Sequence, residues 1–156
     1  MDFGFINPNA LLRIYLREKD LYVDELIYNY KQTNQELIQN MNYLKINKHK
    51  LIVADSERPE SIEELKRAGY NIIPCKKGQN SIIEGIKHLQ GLQIHITSRS
   101  TNTIKEIQSY QWKVDKDNNV IETVEKSNDH SMDAIRYVVY TLYYNPEGRP
   151  NIRWIE

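Results

Sequence analysis

The chain has 156 residues, with 21 Lys and Arg against 21 Asp and Glu, so its formal charge is zero. A length near 150 predicts one domain that buries roughly 70% of its unfolded surface, and a content of 40% apolar and 27% charged residues excludes a disordered chain. The zero balance excludes a simple polybasic binder of nucleic acid or membrane surface, but not local patches of either sign.

Cys75 is the single cysteine, so no intrachain disulfide forms, and no Cys/His array exists for zinc. No apolar run approaches the roughly 18 residues of a membrane span, and the first 25 residues hold no signal-peptide core. A soluble intracellular protein is expected. Asp2-Phe3-Gly4-Phe5 follows Met1 without the polar tail that usually precedes a first strand, which reads as a domain cut from a longer chain.

The first thirty residues predict an antiparallel meander: a strand over Asp2 to Ile6, a turn at Asn7-Pro8-Asn9, a strand over Ala10 to Leu16, and a third over Leu21 to Tyr30. Helix and strand then alternate. Thr33-x-x-Glu36 is a capping box for a helix with Leu37, Met41 and Leu44 on one stripe. Leu51 to Ala54 is a short strand ending at Asp55. Ser61-x-x-Glu64 predicts a helix stopped by Gly69, Asn71 to Cys75 a strand, and Ser81-x-x-Glu84 a helix stopped by Gly91. Leu92 to Thr97 reads as a strand and Ser100 to Ser109 as a helix. Trp112 to Val124, around Asp117-Asn118-Asn119, reads as a hairpin, and Asp129 to Tyr144 as an amphipathic helix with Ile135, Val138, Val139 and Leu142 inward. The order predicts an RNase H-like α/β domain over residues 1–144, a mixed sheet of five or more strands with helices on both faces, followed by a tail over 145–156.

Three acids stand where such a sheet gathers them. Asp2 lies on the first strand, Asp55 at the carboxyl end of the fourth, and Asp133 on the last helix; ligands of α/β sheets bind outside the carboxyl ends of the strands. Hard oxygen donors suit Mg²⁺ or Mn²⁺, and two such ions about 3.5–4 Å apart support phosphodiester hydrolysis. Local chemistry offers other readings. Asp55 can cap the turn into the Pro59 helix, Asp133 and Arg136 can form a surface ion pair, and Asp129 can be the N-cap of the last helix. His130 reads as a metal ligand, a group orienting water, or a partner of Asp133.

Several blocks together resemble the C-terminal nuclease domain of the large terminase subunit of tailed phages. They are Asp2-Phe3-Gly4-Phe5-Ile6-Asn7-Pro8, Val53-Ala54-Asp55-Ser56 with Arg58-Pro59, Lys76-Lys77-Gly78 with Ser81-Ile82 and Gly85-Ile86, Ser100-Thr101-Asn102, Glu106, Tyr110-Gln111-Trp112, and Asn128 to Tyr137. The likeness runs from Asp2 to about Tyr144. It implies an RNase H-like, metal-dependent endonuclease with two Mg²⁺ or Mn²⁺ ions that cuts concatemeric double-stranded viral DNA during genome packaging. By position, Asp2, Asp55 and Asp133 resemble the metal-binding triad, His130 an auxiliary catalytic histidine and Asp129 an additional ligand. The resemblance also implies an N-terminal ATPase, a small terminase subunit and a portal as partners in the host cytoplasm; the chain itself carries no GxxxxGK[ST] loop. A junction resolvase, a transposase-type nuclease and a non-catalytic DNA- or portal-docking domain are the rival readings.

Lys76 and Lys77, on the loop predicted at the same sheet edge as Asp55, are the first candidates for holding DNA phosphates, with Arg58 and Arg99 next. Tyr137, Tyr140 and Tyr143 at helical spacing read as packing residues.

Overall fold

The structure is a computed structural model that describes residues 1–114, 116, 120–124 and 128–143, with the backbone alone for 112–114 and 120–124. The tail predicted over 145–156 and the hairpin turn Asp117-Asn118-Asn119 lie outside the described residues.

Strands β1 (Asn9–Arg17) and β2 (Asp20–Asn29) form an antiparallel hairpin with a bulge between Leu11 and Leu12. A third strand, β5 (Gln93–Ile96), pairs parallel with β2. Strands β3 (Ile52–Ala54) and β4 (Ile72–Pro74) form a separate parallel pair. Met1 and Asp2 stitch these two ladders together. Asp2 exchanges both backbone bonds with Ala10 at 2.9 Å. On the other side the Met1 nitrogen donates to the Val53 carbonyl at 2.6 Å, and the Asp55 N–H donates to the Met1 carbonyl at 3.1 Å. The spatial order is therefore β5, β2, β1, the Met1–Asp2 segment, β3, β4.

The strand expected over Asp2 to Ile6 is not a full strand. It is one bridge at Asp2, after which the chain bends and leaves Phe5 and Ile6 exposed. Gly4 marks the departure locally: its N–H is taken by the Asn9 side chain at 3.1 Å instead of by a backbone carbonyl of β1, so the ladder stops at Asp2.

Helices α1 (Asn34–Tyr43) and α2 (Pro59–Arg67) cover one face, and α3 (Ser81–Gln90), α4 (Thr101–Ser109) and α5 (His130–Leu142) the other. The two-residue period of strands divides the core accordingly. Leu11, Ile27, Ile52 and Ala54 pack with Leu37, Met41, Ile62 and Leu65 on the first face. Leu21 and Val23 pack with Leu89, Met132, Ile135 and Val139 on the second, and Val53 meets Cys75 and Tyr137. Strands β6 (Trp112–Val114) and β7 (Val120–Val124) form the expected hairpin ladder.

The capping box on α1 forms: the Thr33 side chain accepts from the Glu36 N–H and the Glu36 carboxylate accepts from the Thr33 N–H. The two boxes expected at Ser61 and Ser81 do not. Pro59 occupies the first turn of α2, where its missing N–H costs nothing, so the helix starts two residues early and Ser61 is buried inside it. Asn80, without a side-chain cap bond, precedes α3. Gly69 ends α2 as expected. Its φ of 91° is left-handed, and the Tyr70 N–H to Leu65 and Gly69 N–H to Lys66 bonds complete a Schellman stop. No helix among the described residues is long and apolar enough to cross a membrane.

Candidate metal centre

The pairing of Met1 with β3 settles where the acids meet. Asp55 follows the last residue of β3, and its N–H is bonded to the carbonyl of Met1, so Asp55 and Asp2 lie on adjacent strands at one sheet edge. The first turn of α5 supplies the third side: His130 Nδ1 lies 3.0 Å from Asp2 Oδ2, and Asp133 is one turn further on. Tyr137 marks the centre. Burial first, then the charges of Asp133, Asp2 and Asp55 in that order, push its phenol pKa up.

Each acid is turned toward its own nitrogen partner. Asp2 faces His130; Asp55 Oδ1 lies 2.8 Å from Lys77 Nζ; Asp133 Oδ1 lies 2.7 Å from an Arg136 guanidinium nitrogen. Burial raises the Asp2 carboxyl pKa, the His130 hydrogen bond opposes this, and the negative charge of Asp133 adds to it. The same hydrogen bond to Asp2 raises His130 above its ordinary value against the effect of burial. Among the described residues, no three His, Cys, Asp or Glu side chains are grouped as a ready ligand set. The donor chemistry fits hard divalent cations even so. Asp2 and Asp55 lie on adjacent strands, Asp133 stands on the helix whose His130 bonds Asp2, and the repulsion of Asp2 by Asp133 is what a cation would relieve.

The local readings resolve residue by residue. Asp55 does hold a turn, accepting the Glu57 N–H at 3.1 Å, while also facing Lys77. Asp133 and Arg136 do pair, but not on the surface, because the Arg136 side chain is only 6% exposed. Its chain passes where a Cβ on Gly85 would come within 2.6 Å of Cγ. His130 bonds Asp2 rather than Asp133. Asp129 occupies the N-cap position of α5 without making a side-chain cap bond. Glu106 of α4 does that work instead: its Oε2 accepts the Ser131 N–H at 2.6 Å and the Met132 N–H at 3.2 Å. Its place in the sequence blocks was visible, but its role needs the packing of α4 on α5.

The basic candidates separate. Lys77 stands at the acids, between Asp55 and Glu57, with Nζ 2.7 Å from Glu57 Oε1. Lys76 is exposed, its backbone N–H held by Thr141 Oγ1 at 2.9 Å. Arg58, at the N-cap of α2, pairs with Glu60 at 3.7 Å and lines a cavity of about 210 Å³ with Phe3, Phe5 and Gln32. Arg99 is not brought to the acids. It forms a two-point pair with Asp24, which sits opposite Arg13 on β1, three residues along from the Ala10 that bridges Asp2, or about 10 Å. Of the three tyrosines, Tyr137 is buried in the core, and Tyr140 reaches Glu84 at 3.3 Å.

A profile described as the terminase RNase H-like domain matches residues 2–141. The chain belongs to this family. It is 31% identical over 147 residues to the terminase large subunit of Bacillus phage SPP1, covering 88% of this chain and 34% of that protein. It is 28% identical over 143 residues to the PBSX phage terminase large subunit of Bacillus subtilis strain 168, covering 89% and 33%. The chain thus spans about a third of the length of these relatives. Among solved structures it is similar to the SPP1 large terminase nuclease domain with bound Mn, with TM-score 0.79, 28% identity, and coverage of 88% of this chain and 81% of that one. The P22 large terminase nuclease domain, at TM-score 0.68 and 18% identity over 89% of this chain and 77% of that one, shares the fold. The family's RNase H-like architecture accounts for the mixed sheet with helices on both faces.

Proposed function

We propose that this domain is a divalent-metal-dependent endonuclease that cuts concatemeric double-stranded viral DNA during genome packaging. The observation that carries the proposal is that Asp2 and Asp55 lie on adjacent strands, with His130 of α5 bonded to Asp2 and Asp133 one turn further along that helix. Asp2 and Asp55, on adjacent strands, together with Asp133 from α5, would hold two Mg²⁺ or Mn²⁺ ions, with Asp129 a further acid at the helix start. When bound, such ions supply Lewis acidity to the scissile phosphate and a water activated for in-line attack. The chain's own residues prepare that site. His130 fixes one oxygen of Asp2. Arg136 fixes one oxygen of Asp133. The β4–α3 loop brings Lys77 and Lys76 to the same edge for the flanking DNA phosphates, and Arg58 lies at the start of α2. The Mn-bound SPP1 domain supports the choice of metal class.

The relatives are terminase large subunits about three times as long. The substrate is accordingly viral DNA delivered by an ATPase region, with the small subunit and portal as assembly partners, in the cytoplasm of the bacterial host. The test is plasmid cleavage in Mn²⁺ or Mg²⁺, with and without chelator. Cleavage is expected with metal only, and lost in Asp55→Ala and Asp133→Ala; full activity in either variant overturns the assignment.

A further inference from the structure

The three nitrogen partners of the acids differ in how firmly they are held. Arg136 is enclosed, with its side chain 6% exposed and Gly85 against its stem. His130 is held on Asp2 at the first turn of α5. Lys77 is different: it stands on the loop between β4 and α3, its side chain is 32% exposed, and its ammonium is shared between Asp55 at 2.8 Å and the largely exposed Glu57 at 2.7 Å. It also lies 5.5 Å from the centre of the Tyr137 ring, the residue that senses all three acids. An ammonium and a divalent ion carry the same sign, so sharing the Asp55 carboxylate is opposed by their repulsion. Lysine has a long flexible stem and three rotatable donors, which suits it to exchange partners where arginine is suited to hold one.

We propose that Lys77 is an exchangeable counter-ion of Asp55. Resting on Asp55, it neutralises that acid; when a divalent ion takes Asp55, the ammonium is released and becomes free to take a DNA phosphate. Metal and DNA then bind cooperatively, each raising the affinity for the other by the same factor. This rests on the metal-centre reading above and adds an order to it: Lys77 contributes to DNA binding only after the metal is in place.

The experiment uses the whole chain. Mn²⁺ affinity is measured by calorimetry for wild type, Lys77→Gln and Lys50→Gln. The affinity for a short duplex is measured by fluorescence anisotropy in EDTA and in Ca²⁺. Lys77→Gln is expected to bind Mn²⁺ about three- to tenfold more tightly than wild type, as removal of a competing charge requires. Lys50→Gln carries the same charge change on the exposed loop before β3, at the other end of that strand from Asp55, and its Mn²⁺ affinity is expected to differ from wild type by less than about twofold. In EDTA, Lys77→Gln and wild type are expected to bind duplex equally. In Ca²⁺ the variant is expected to be weaker by about threefold or more, the loss of one phosphate contact. Mn²⁺ affinity of Lys77→Gln equal to or below wild type overturns the exchange, as does a loss of duplex affinity of the same size in both buffers. If wild type takes up no Mn²⁺ at all, the metal-centre reading fails and the exchange falls with it; if wild type binds Mn²⁺ and Lys77→Gln matches it, only the exchange fails.

Discussion

Glu106 accepts the backbone N–H of Ser131 at 2.6 Å, so a carboxylate from α4 caps the helix that carries His130 and Asp133. Met132 donates to the same oxygen at 3.2 Å and Tyr28 to the other at 2.6 Å, leaving the carboxylate fully engaged and buried. Glu106→Ala removes the acceptor from two helix-end donors, at an expected cost of about 2–3 kcal/mol. Glu106→Gln retains one oxygen acceptor and is expected to cost about 1 kcal/mol. Urea unfolding measures both, and equal stability of Glu106→Ala and wild type would show that the helix end is held by other groups.

The same residue gives a pH dependence. Burial raises the Glu106 carboxyl above its ordinary value, against the lowering by Tyr28, Met132 and Ser131. A raised acid binds more protons in the folded than in the unfolded state. Its contribution is therefore fully present below the unfolded value of 4.5 and is lost as pH rises through the folded one. Relative to Glu106→Gln, wild type is expected to lose stability as pH rises above about 4.5. Unfolding free energies at several pH values check this, and a difference independent of pH contradicts it.

Gly85 and Arg136 form a second dependency at the α3–α5 contact. A Cβ at position 85 would stand 2.6 Å from Arg136 Cγ and 3.1 Å from Cδ, neither of them a free side-chain end. Gly85→Ala is expected to cost about 1–3 kcal/mol by overpacking and to move the guanidinium off Asp133. Arg136→Met leaves Asp133 without its cation. That change is expected to cost about 3 kcal/mol, the lower end for a broken buried pair, because the Asp133 side chain is 25% exposed. Thermal or urea unfolding of the two variants measures both effects, and wild-type stability in Gly85→Ala would mean that the helices separate at no cost.

Most of this architecture was legible in the residues. Alternating apolar positions in β1 and β2, the Thr33 box and the Gly69 stop are local signals, and they appear in the structure as expected. That Asp2 and Asp55 lie on adjacent strands followed from strand order. What stayed hidden depends on contacts between distant segments. Ser61 carries a capping pattern, but Pro59 starts the helix earlier and puts that serine in the interior. Asp129 holds the N-cap position, yet the capping acceptor comes from Glu106, 25 residues away from Ser131. Arg136 had the spacing of a solvated pair, and only the packing of Gly85 against it shows that it is buried. Arg99 lies in the turn between β5 and α4 rather than at a strand end, and its partner is set by the register of β5 on β2, which places Asp24 beside it.

Asp2 tests whether the centre gives up stability for ligand binding. Its pKa is raised, chiefly by burial and further by Asp133, so folding disfavours the ionised form relative to the unfolded chain despite the His130 bond. Asn at this position has the same shape and still offers an oxygen to His130, but it carries no buried charge. Metal-free Asp2→Asn is therefore expected to be as stable as wild type or more so, by up to about 1 kcal/mol. Metal should reverse the order. At a free Mn²⁺ concentration 100 times its dissociation constant, wild type gains about 2.7 kcal/mol from binding to the folded state alone. Asp2→Asn, lacking one of the proposed ligands, should gain little. Thermal melts with and without Mn²⁺ read both comparisons in one set of samples. A variant that is clearly less stable than wild type without metal, yet shifts with Mn²⁺ as wild type does, would place Asp2 in the fold rather than in the metal centre.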